Sequence, residues 1–90
     1  MVSLLSNIDY EQVPEIINEF LLYLGTVKNK SQNTIKEYYL DLRTFFRFLK
    51  VRRKLDDENT EFKDISIKDV DLALVKSVTI TDIYEFMNYS

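Results

Sequence analysis

Four cationic side chains recur at helical spacing in the middle third of the sequence. They are Lys36, Arg43, Arg47 and Lys50. At 100° per residue these four positions fall within about 60° of one another on a helical wheel, so a helix would carry them as one stripe. Ammonium and guanidinium groups in such a row can neutralise DNA phosphates, and Arg can also bond to base edges in a groove. The spacing therefore predicts a DNA-binding face, with an ordinary solvated charged face as the alternative.

Polar residues precede the stripe at the point where its helix should begin. They are Lys30, Ser31, Asn33 and Thr34. Ser31 or Asn33 can cap the helix, because a short side-chain oxygen accepts one of the free N–H groups of the first turn. Free N–H groups at a helix start also suit a phosphate. We therefore expect these four residues to contact DNA together with the stripe.

Two adjacent tyrosines, Tyr38 and Tyr39, could in principle act as nucleophiles. A tyrosine hydroxyl must be activated by a neighbouring base or charge, and the chain contains no His. Both tyrosines fall on the apolar arc of the same helix, which predicts core packing with the hydroxyl at the rim. We predict no catalytic residue in this chain.

An acidic run follows the stripe and could suggest a metal-binding loop. It holds Asp56, Asp57, Glu58, Glu61 and Asp64. A calcium loop needs a glycine and oxygen ligands at fixed alternating positions, and this run has neither. Cysteine is absent, which excludes thiolate metal sites and disulfides. The run is expected to be a solvated loop, and neither a metal ion nor a cofactor is predicted.

Charge is divided into three blocks along the chain, although the net charge is only −3. Residues 1–27 carry four acids and no base, residues 28–54 nine bases and two acids, and residues 55–90 nine acids and three bases. A basic block between acidic flanks attracts a polyanion locally. The absence of cysteine fits a reducing compartment, and no apolar run approaches the roughly 20 residues needed to cross a bilayer. We therefore expect a cytoplasmic protein that binds duplex DNA and no membrane.

The spacing of apolar residues predicts the helices that would position these side chains. Pro14 suits a first helical turn and Gly25 a left-handed cap, which indicates a first helix from Pro14 to Leu24. The second helix should run from its cap to about Lys50. Its core positions at helical spacing are Ile35, Tyr38, Tyr39, Leu42, Phe45, Phe46 and Leu49.

Periodicity fails over residues 51–68, which we interpret as a surface connection. Ile65 and Ile67 are expected to lie briefly against the core. Short side-chain oxygens that can cap two further helices come next: Asp69 or Asp71 for a short helix holding Leu72 and Val75, and Thr79 with Asp82, in capping-box spacing, for the last. The predicted buried side of the last helix carries Ile83, Phe86 and Met87.

Composition indicates a single all-α domain over residues 1–90. One Gly, one Pro and an apolar share of 46% favour helices with few connections over a sheet structure with frequent tight turns. We divide the domain into four parts: an N-terminal arm at 1–12, the first two helices at 13–50, the connection at 51–68 and the C-terminal helices at 69–90.

The segment at residues 30–49 resembles the signature of the core-binding domain of tyrosine recombinases, the phage-integrase family. That signature is a Ser, an Asn-Thr pair, a Tyr, an Asp-Leu pair, a Phe and a final Leu. The matching residues are Ser31, Asn33, Thr34, Tyr38, Asp41, Leu42, Phe45 and Leu49. Residues 20–24 and 78–86 are similar to the first and third helices of the same domain.

The resemblance implies a small orthogonal helical bundle of SAM-like fold that clasps duplex DNA, with a final helix beyond Ser90. It also implies that the catalytic residues belong to a separate C-terminal domain, so this chain would be the non-catalytic DNA-binding part of a site-specific recombinase. Its expected partners are DNA, that catalytic domain and other recombinase subunits. The alternative is a helical protein-interaction module that uses an exposed Leu40 and Phe48 for homotypic or partner contacts.

Overall fold

The computed structural model of the chain describes residues 8–89, and within that range it contains helices and no strand. Residues 1–7 of the predicted N-terminal arm lie outside the described residues. Short 3-10 turns occupy Tyr10–Gln12 and Phe62–Asp64. The four α-helices are α1 at Glu15–Thr26, α2 at Gln32–Arg52, α3 at Leu72–Lys76 and α4 at Ile80–Tyr89. The all-α prediction is therefore confirmed.

We predicted a first helix from Pro14 to Leu24, but helix α1 begins at Glu15, with Pro14 as its N-cap, and runs through Gly25. It continues to Thr26, and the left-handed residue beyond it is Asn29, with φ of 54°. Gly25 lies inside the helix, where a Cβ would stand 3.4 Å from Cδ1 of Ile35 on α2. Gly25 therefore packs at ordinary contact distance from α2, and because its φ is not positive it does not reverse the chain.

Helix α2 spans 21 residues, or about 31 Å at 1.5 Å per residue. Ser31 is its N-cap, since the Ser31 hydroxyl accepts the N–H of Thr34 at 3.2 Å. The helix runs two residues past the predicted end and closes on Lys54, which is left-handed. The N–H groups of Lys54 and Leu55 then bond to the carbonyls of Val51 and Lys50, which is the Schellman pattern.

The core forms between one face of α1 and one face of α2. Its buried members from these two helices are Ile17, Leu21, Leu24, Ile35, Tyr39, Phe46 and Leu49. Tyr38 was predicted to join them, but it is 43% exposed and meets Phe20 edge-to-face at the surface. Leu40 and Phe48, predicted to be exposed, are both half-buried.

The connection after α2 returns to the core, as predicted for Ile65 and Ile67, which are both buried together with Val70. Asp71, and not Asp69, caps α3 by accepting the N–H of Leu74 at 2.9 Å. Of the predicted 51–68 connection, residues 51–52 therefore belong to α2, residues 53–61 form a surface loop and the end lines the core.

Helix α4 starts with the predicted capping box. The N–H of Thr79 donates to Asp82 at 2.9 Å, and the N–H of Asp82 donates to the Thr79 hydroxyl at 3.1 Å. The predicted buried side of α4 is wrong for Ile83 and Met87, which are both exposed. Phe86 is half-buried. Its ring centroid lies 5.3 Å from that of Phe45 and 5.5 Å from that of Phe48. The helix therefore docks on α2 through an aromatic contact and through Asp82, and leaves its other apolar face in solvent.

Candidate nucleic-acid interface

A cleft opens along the middle of α2, with a volume of about 350 Å³. One wall is α2, and the others are residues 63–67 and the segment before α1. Four cationic side chains face it: Lys36, Arg43, Arg47 and Lys63. Two carboxylates, those of Asp9 and Asp64, also line it. We call the site formed by these four cations the cationic cleft; its charged groups leave it net positive.

Arg43 lines the cleft and is only partly exposed. Its guanidinium carbon lies 5.7 Å from the centroid of the Tyr39 ring, an arrangement that favours a cation over the ring face. The Nε atom of Arg43 is buried and has no hydrogen-bond partner among residues 8–89. The side chain is therefore held in place by packing and keeps an unused donor.

Arg47, one turn further along α2, is anchored to the wall of the cleft. Its Nε donates to the carbonyl of Ile65 at 2.8 Å. Burial lowers the pKa of Arg47 below its ordinary value, the positive charge of Arg43 lowers it further, and Asp64 partly opposes this. Two guanidinium groups are thus close enough to influence each other. The described residues give neither of them a salt bridge.

Lys50 does not line the cationic cleft. It is only 5% exposed, and its ammonium group pairs with Asp69 and donates to the carbonyl of Ser66 at 2.7 Å. On a helical wheel Lys50 falls beside Arg43 and Arg47, so the sequence spacing groups the three. The wheel does not show that residues 66–69 return to α2 and cover Lys50. The structure assigns Lys50 to the fold.

Arg52 and Arg53, which follow Lys50, are also used internally. Arg53 donates to Asp82 at 2.9 Å and to the carbonyl of Ser77 at 3.0 Å, and Arg52 donates to Asp82 at 3.3 Å. The backbone N–H of Thr79 and the Arg53 guanidinium favour the charged carboxylate of Asp82 and lower its pKa, whereas burial raises it. The resulting pKa of Asp82 is about 2. This network fastens the start of α4 to the end of α2.

Sequence reasoning missed Lys63 as a member of the cleft. It stands alone in an acidic run and belongs to no periodic element, so nothing in the sequence pairs it with α2. The 3-10 turn at Phe62–Asp64 brings it there.

The four polar residues predicted at the start of α2 take other positions. Lys30, Ser31 and Asn33 are exposed, the Ser31 and Thr34 hydroxyls bond to each other at 3.0 Å, and none of these four lines the cleft.

The chemistry available in the cleft is the binding of an anion. Within the described range, no group of three or more acidic, His or Cys residues could hold a metal ion. Tyr39 is buried under Arg43, and Tyr38 lies at the surface beside Phe20. With no His in the chain, neither tyrosine has that base to activate it.

Comparisons with known proteins agree on one family. A family model described as the phage integrase N-terminal SAM-like domain matches residues 17–79. The chain is 45% identical over 85 residues to tyrosine recombinase XerC of Caldanaerobacter subterraneus subsp. tengcongensis. That alignment spans 94% of this chain and 24% of the relative, so the chain covers about a quarter of the relative's length. No solved structure matches the chain. Among the described residues, no helix has the length and apolar character required to traverse a bilayer.

Proposed function

The chain belongs to the family of phage integrase N-terminal SAM-like domains, and we propose that it is the non-catalytic DNA-binding domain of a site-specific tyrosine recombinase. In this proposal residues 1–90 act as one clamp on duplex DNA, in the cytoplasm. Strand cleavage and joining take place in a separate C-terminal catalytic domain, and recombination requires further recombinase subunits. The identity of the XerC relative as a tyrosine recombinase supports the recombinase context.

One observation carries the DNA-binding part of the proposal. The cations of α2 beyond Arg47 are paired with carboxylates of this chain. Arg43 and Arg47, in the cationic cleft, have no carboxylate partner among residues 8–89. Guanidinium groups without a carboxylate partner beside a groove suit the phosphates of a nucleic acid, and this binding requires no particular base sequence. The alternative of an interaction module loses its support, because Leu40 and Phe48 are half-buried.

The direct test is a salt titration of duplex DNA binding, followed by fluorescence anisotropy. If the four cations of the cleft each contact a phosphate, log affinity should fall against log salt with a slope near −3.6, at about −0.9 per contact. Reversing two of them in the double variant Lys36→Glu and Arg43→Glu should remove most of the binding. Circular dichroism should show an intact α2, since neither residue belongs to the buried core.

The matched control is the double variant Lys68→Glu and Lys76→Glu. It makes the same change in net charge at two exposed cations that do not line the cleft. Binding should fall only slightly. Equal losses in the two double variants would show that only net charge matters, and the clamp proposal would then fail.

A further inference from the structure

An open hollow of about 680 Å³ lies beside the C-terminal end of α2. Its apolar lining comes from three parts of the fold: Val51 of α2, Phe62 and Ile65 of the connection, and Tyr89 of α4. A second hollow, of about 470 Å³, shares Val51, Phe62 and Tyr89 with the first and is otherwise lined by α2 and α4. The two hollows therefore form one continuous groove. Val51 is 54% exposed and Tyr89 65% exposed, and neighbouring exposed apolar side chains of this kind mark an interaction surface.

The rim of the larger hollow is negatively charged. Its carboxylates are those of Asp56, Asp57 and Glu58, which are exposed and form no salt bridge among the described residues. The one cation in its lining is Lys54, so three carboxylates face a single ammonium group. The Asp57 side chain is fixed by the N–H of Asn59, which donates to it at 2.8 Å. We call the two hollows with this rim the acidic groove.

The charge of the rim restricts what can cover the apolar floor. Nucleic-acid phosphates and anionic lipid headgroups are repelled by carboxylates. A second copy of this chain is a poor match, because the exposed apolar side chains of its α1 and α4 come from helices that contain no Lys or Arg. A complementary occupant presents apolar side chains with Lys or Arg beside them.

We propose that the acidic groove docks a basic amphipathic segment of a partner protein. Apolar side chains of that segment cover Val51 and Tyr89, and its cations face the carboxylates of the rim. Amphipathic helices bind to apolar grooves of other proteins in this way, and complementary charge then selects among partners. This contact is independent of DNA binding, since the acidic groove includes none of the four cations of the cationic cleft.

The probe is a synthetic peptide whose Leu and Lys residues form an amphipathic helix. It carries a fluorescent label and is titrated with the full chain, and its anisotropy reports binding. One control peptide has every Lys replaced by Glu, and another has the same residues in scrambled order. Only the amphipathic Leu/Lys peptide should bind, because it alone presents an apolar face flanked by cations.

Two triple variants test the charge of the rim. The first neutralises the groove acids: Asp56→Asn, Asp57→Asn and Glu58→Gln. It should weaken peptide binding at least about fivefold, as expected for three exposed charges. The matched control neutralises three exposed acids outside both hollows: Glu19→Gln, Glu37→Gln and Asp41→Asn. It makes the same change in net charge and should weaken binding less than about twofold, because distant exposed charges are screened by salt.

Two tyrosines of α4 test the apolar floor. Tyr89 and Tyr84 are similarly exposed, at 65% and 60%, but only Tyr89 lines the groove. Tyr89→Ser should weaken peptide binding about fivefold, as expected for an aromatic side chain at the centre of a contact, and Tyr84→Ser less than about 1.5-fold. Circular dichroism should show the same helix content in both variants, which separates a lost contact from a lost fold.

The proposal holds if binding requires the amphipathic Leu/Lys peptide and is weakened only by the two groove variants. It is overturned if that peptide does not bind, if a control peptide binds equally well, or if either groove variant behaves like its matched control. Sedimentation of the chain alone tests the other occupant. Self-association that Tyr89→Ser abolishes and Tyr84→Ser preserves would place a second copy in the groove and also overturn the proposal.

Discussion

Two stretches of α2 carry the same kinds of cation and use them differently. At the C-terminal end, Lys50 and the C-cap residue Arg53 are each fixed by a carboxylate and a backbone carbonyl. In the middle, Arg43 and Arg47 have no carboxylate partner within the described range, and one donor of Arg43 is buried unused. The first stretch holds other segments onto the helix, whereas the second faces a cleft.

The difference shows that the role of a cation depends on what the rest of the chain brings to it. Segment 66–69 delivers Asp69 to one end of α2, and the capping box of α4 delivers Asp82. Segment 63–65 delivers a carbonyl and a further cation to the middle. If this distinction is correct, removing partners at the C-terminal end should lower stability, and changes in the middle should lower anion binding.

The largest expected effect on stability comes from Asp69→Ala. The ammonium group of Lys50, whose side chain is only 6% exposed, would lose its carboxylate and keep only the Ser66 carbonyl. We expect a loss of about 2 kcal/mol in the free energy of unfolding, less than for a fully buried pair because Asp69 is mostly exposed. Urea denaturation measures the change.

Glu58→Ala is the control for this prediction, because Glu58 is exposed and forms no salt bridge within residues 8–89. Its stability should stay within about 0.5 kcal/mol of the wild type. A loss at Asp69 as small as that at Glu58 would mean that Lys50 is not held by its partner, and the contrast between the two stretches of α2 would disappear.

The next effect is a dependence of stability on acid pH at Asp82. The folded pKa of about 2 lies below the ordinary value of 3.8, so the charged carboxylate stabilises the fold above pH 3.8. That stabilisation declines as the pH falls through this window and is lost below about 2. Urea titrations from pH 5 to about 2 should show the decline in the wild type. Asp82→Asn should be less stable at neutral pH and show a shallower decline, and identical slopes would contradict the assignment.

Most of the local structure could be predicted because its causes are local. Ser31, Asp71 and the Thr79–Asp82 pair cap their helices through hydrogen bonds between residues three positions apart. The hydrogen-bonding partners are close in sequence, so the pattern contains all the information required. The course of α2 follows for the same reason from its apolar spacing.

The parts that could not be predicted depend on segments distant in sequence. Spacing on α2 cannot show that Asp69 buries Lys50, nor that the turn at 62–64 brings Lys63 to the cleft. On α4 the hydrophobic pattern favours burying Ile83 and Met87, yet the helix docks through Asp82 and Phe86. Arg52 of α2 and the C-cap residue Arg53 attract the Asp82 carboxylate, and this tertiary contact fixes the rotation of α4 against its own apolar stripe.

The smallest expected effect on stability is that of Arg43→Ala, and it separates the two stretches of α2 most directly. Arg53→Ala removes bonds to Asp82 and to both Ser77 oxygens and should cost about 1.5 kcal/mol. Arg43→Ala removes a stacking contact with Tyr39 but also relieves a buried donor without a partner, so stability should stay within about 0.5 kcal/mol. In DNA binding the order should be reversed, with a loss of affinity for Arg43→Ala and little change for Arg53→Ala. Thermal melting and anisotropy on the same two variants measure both quantities. Because each variant deletes one guanidinium from α2 or its C-cap, parallel changes in stability and affinity would mean that the two stretches do not differ in role.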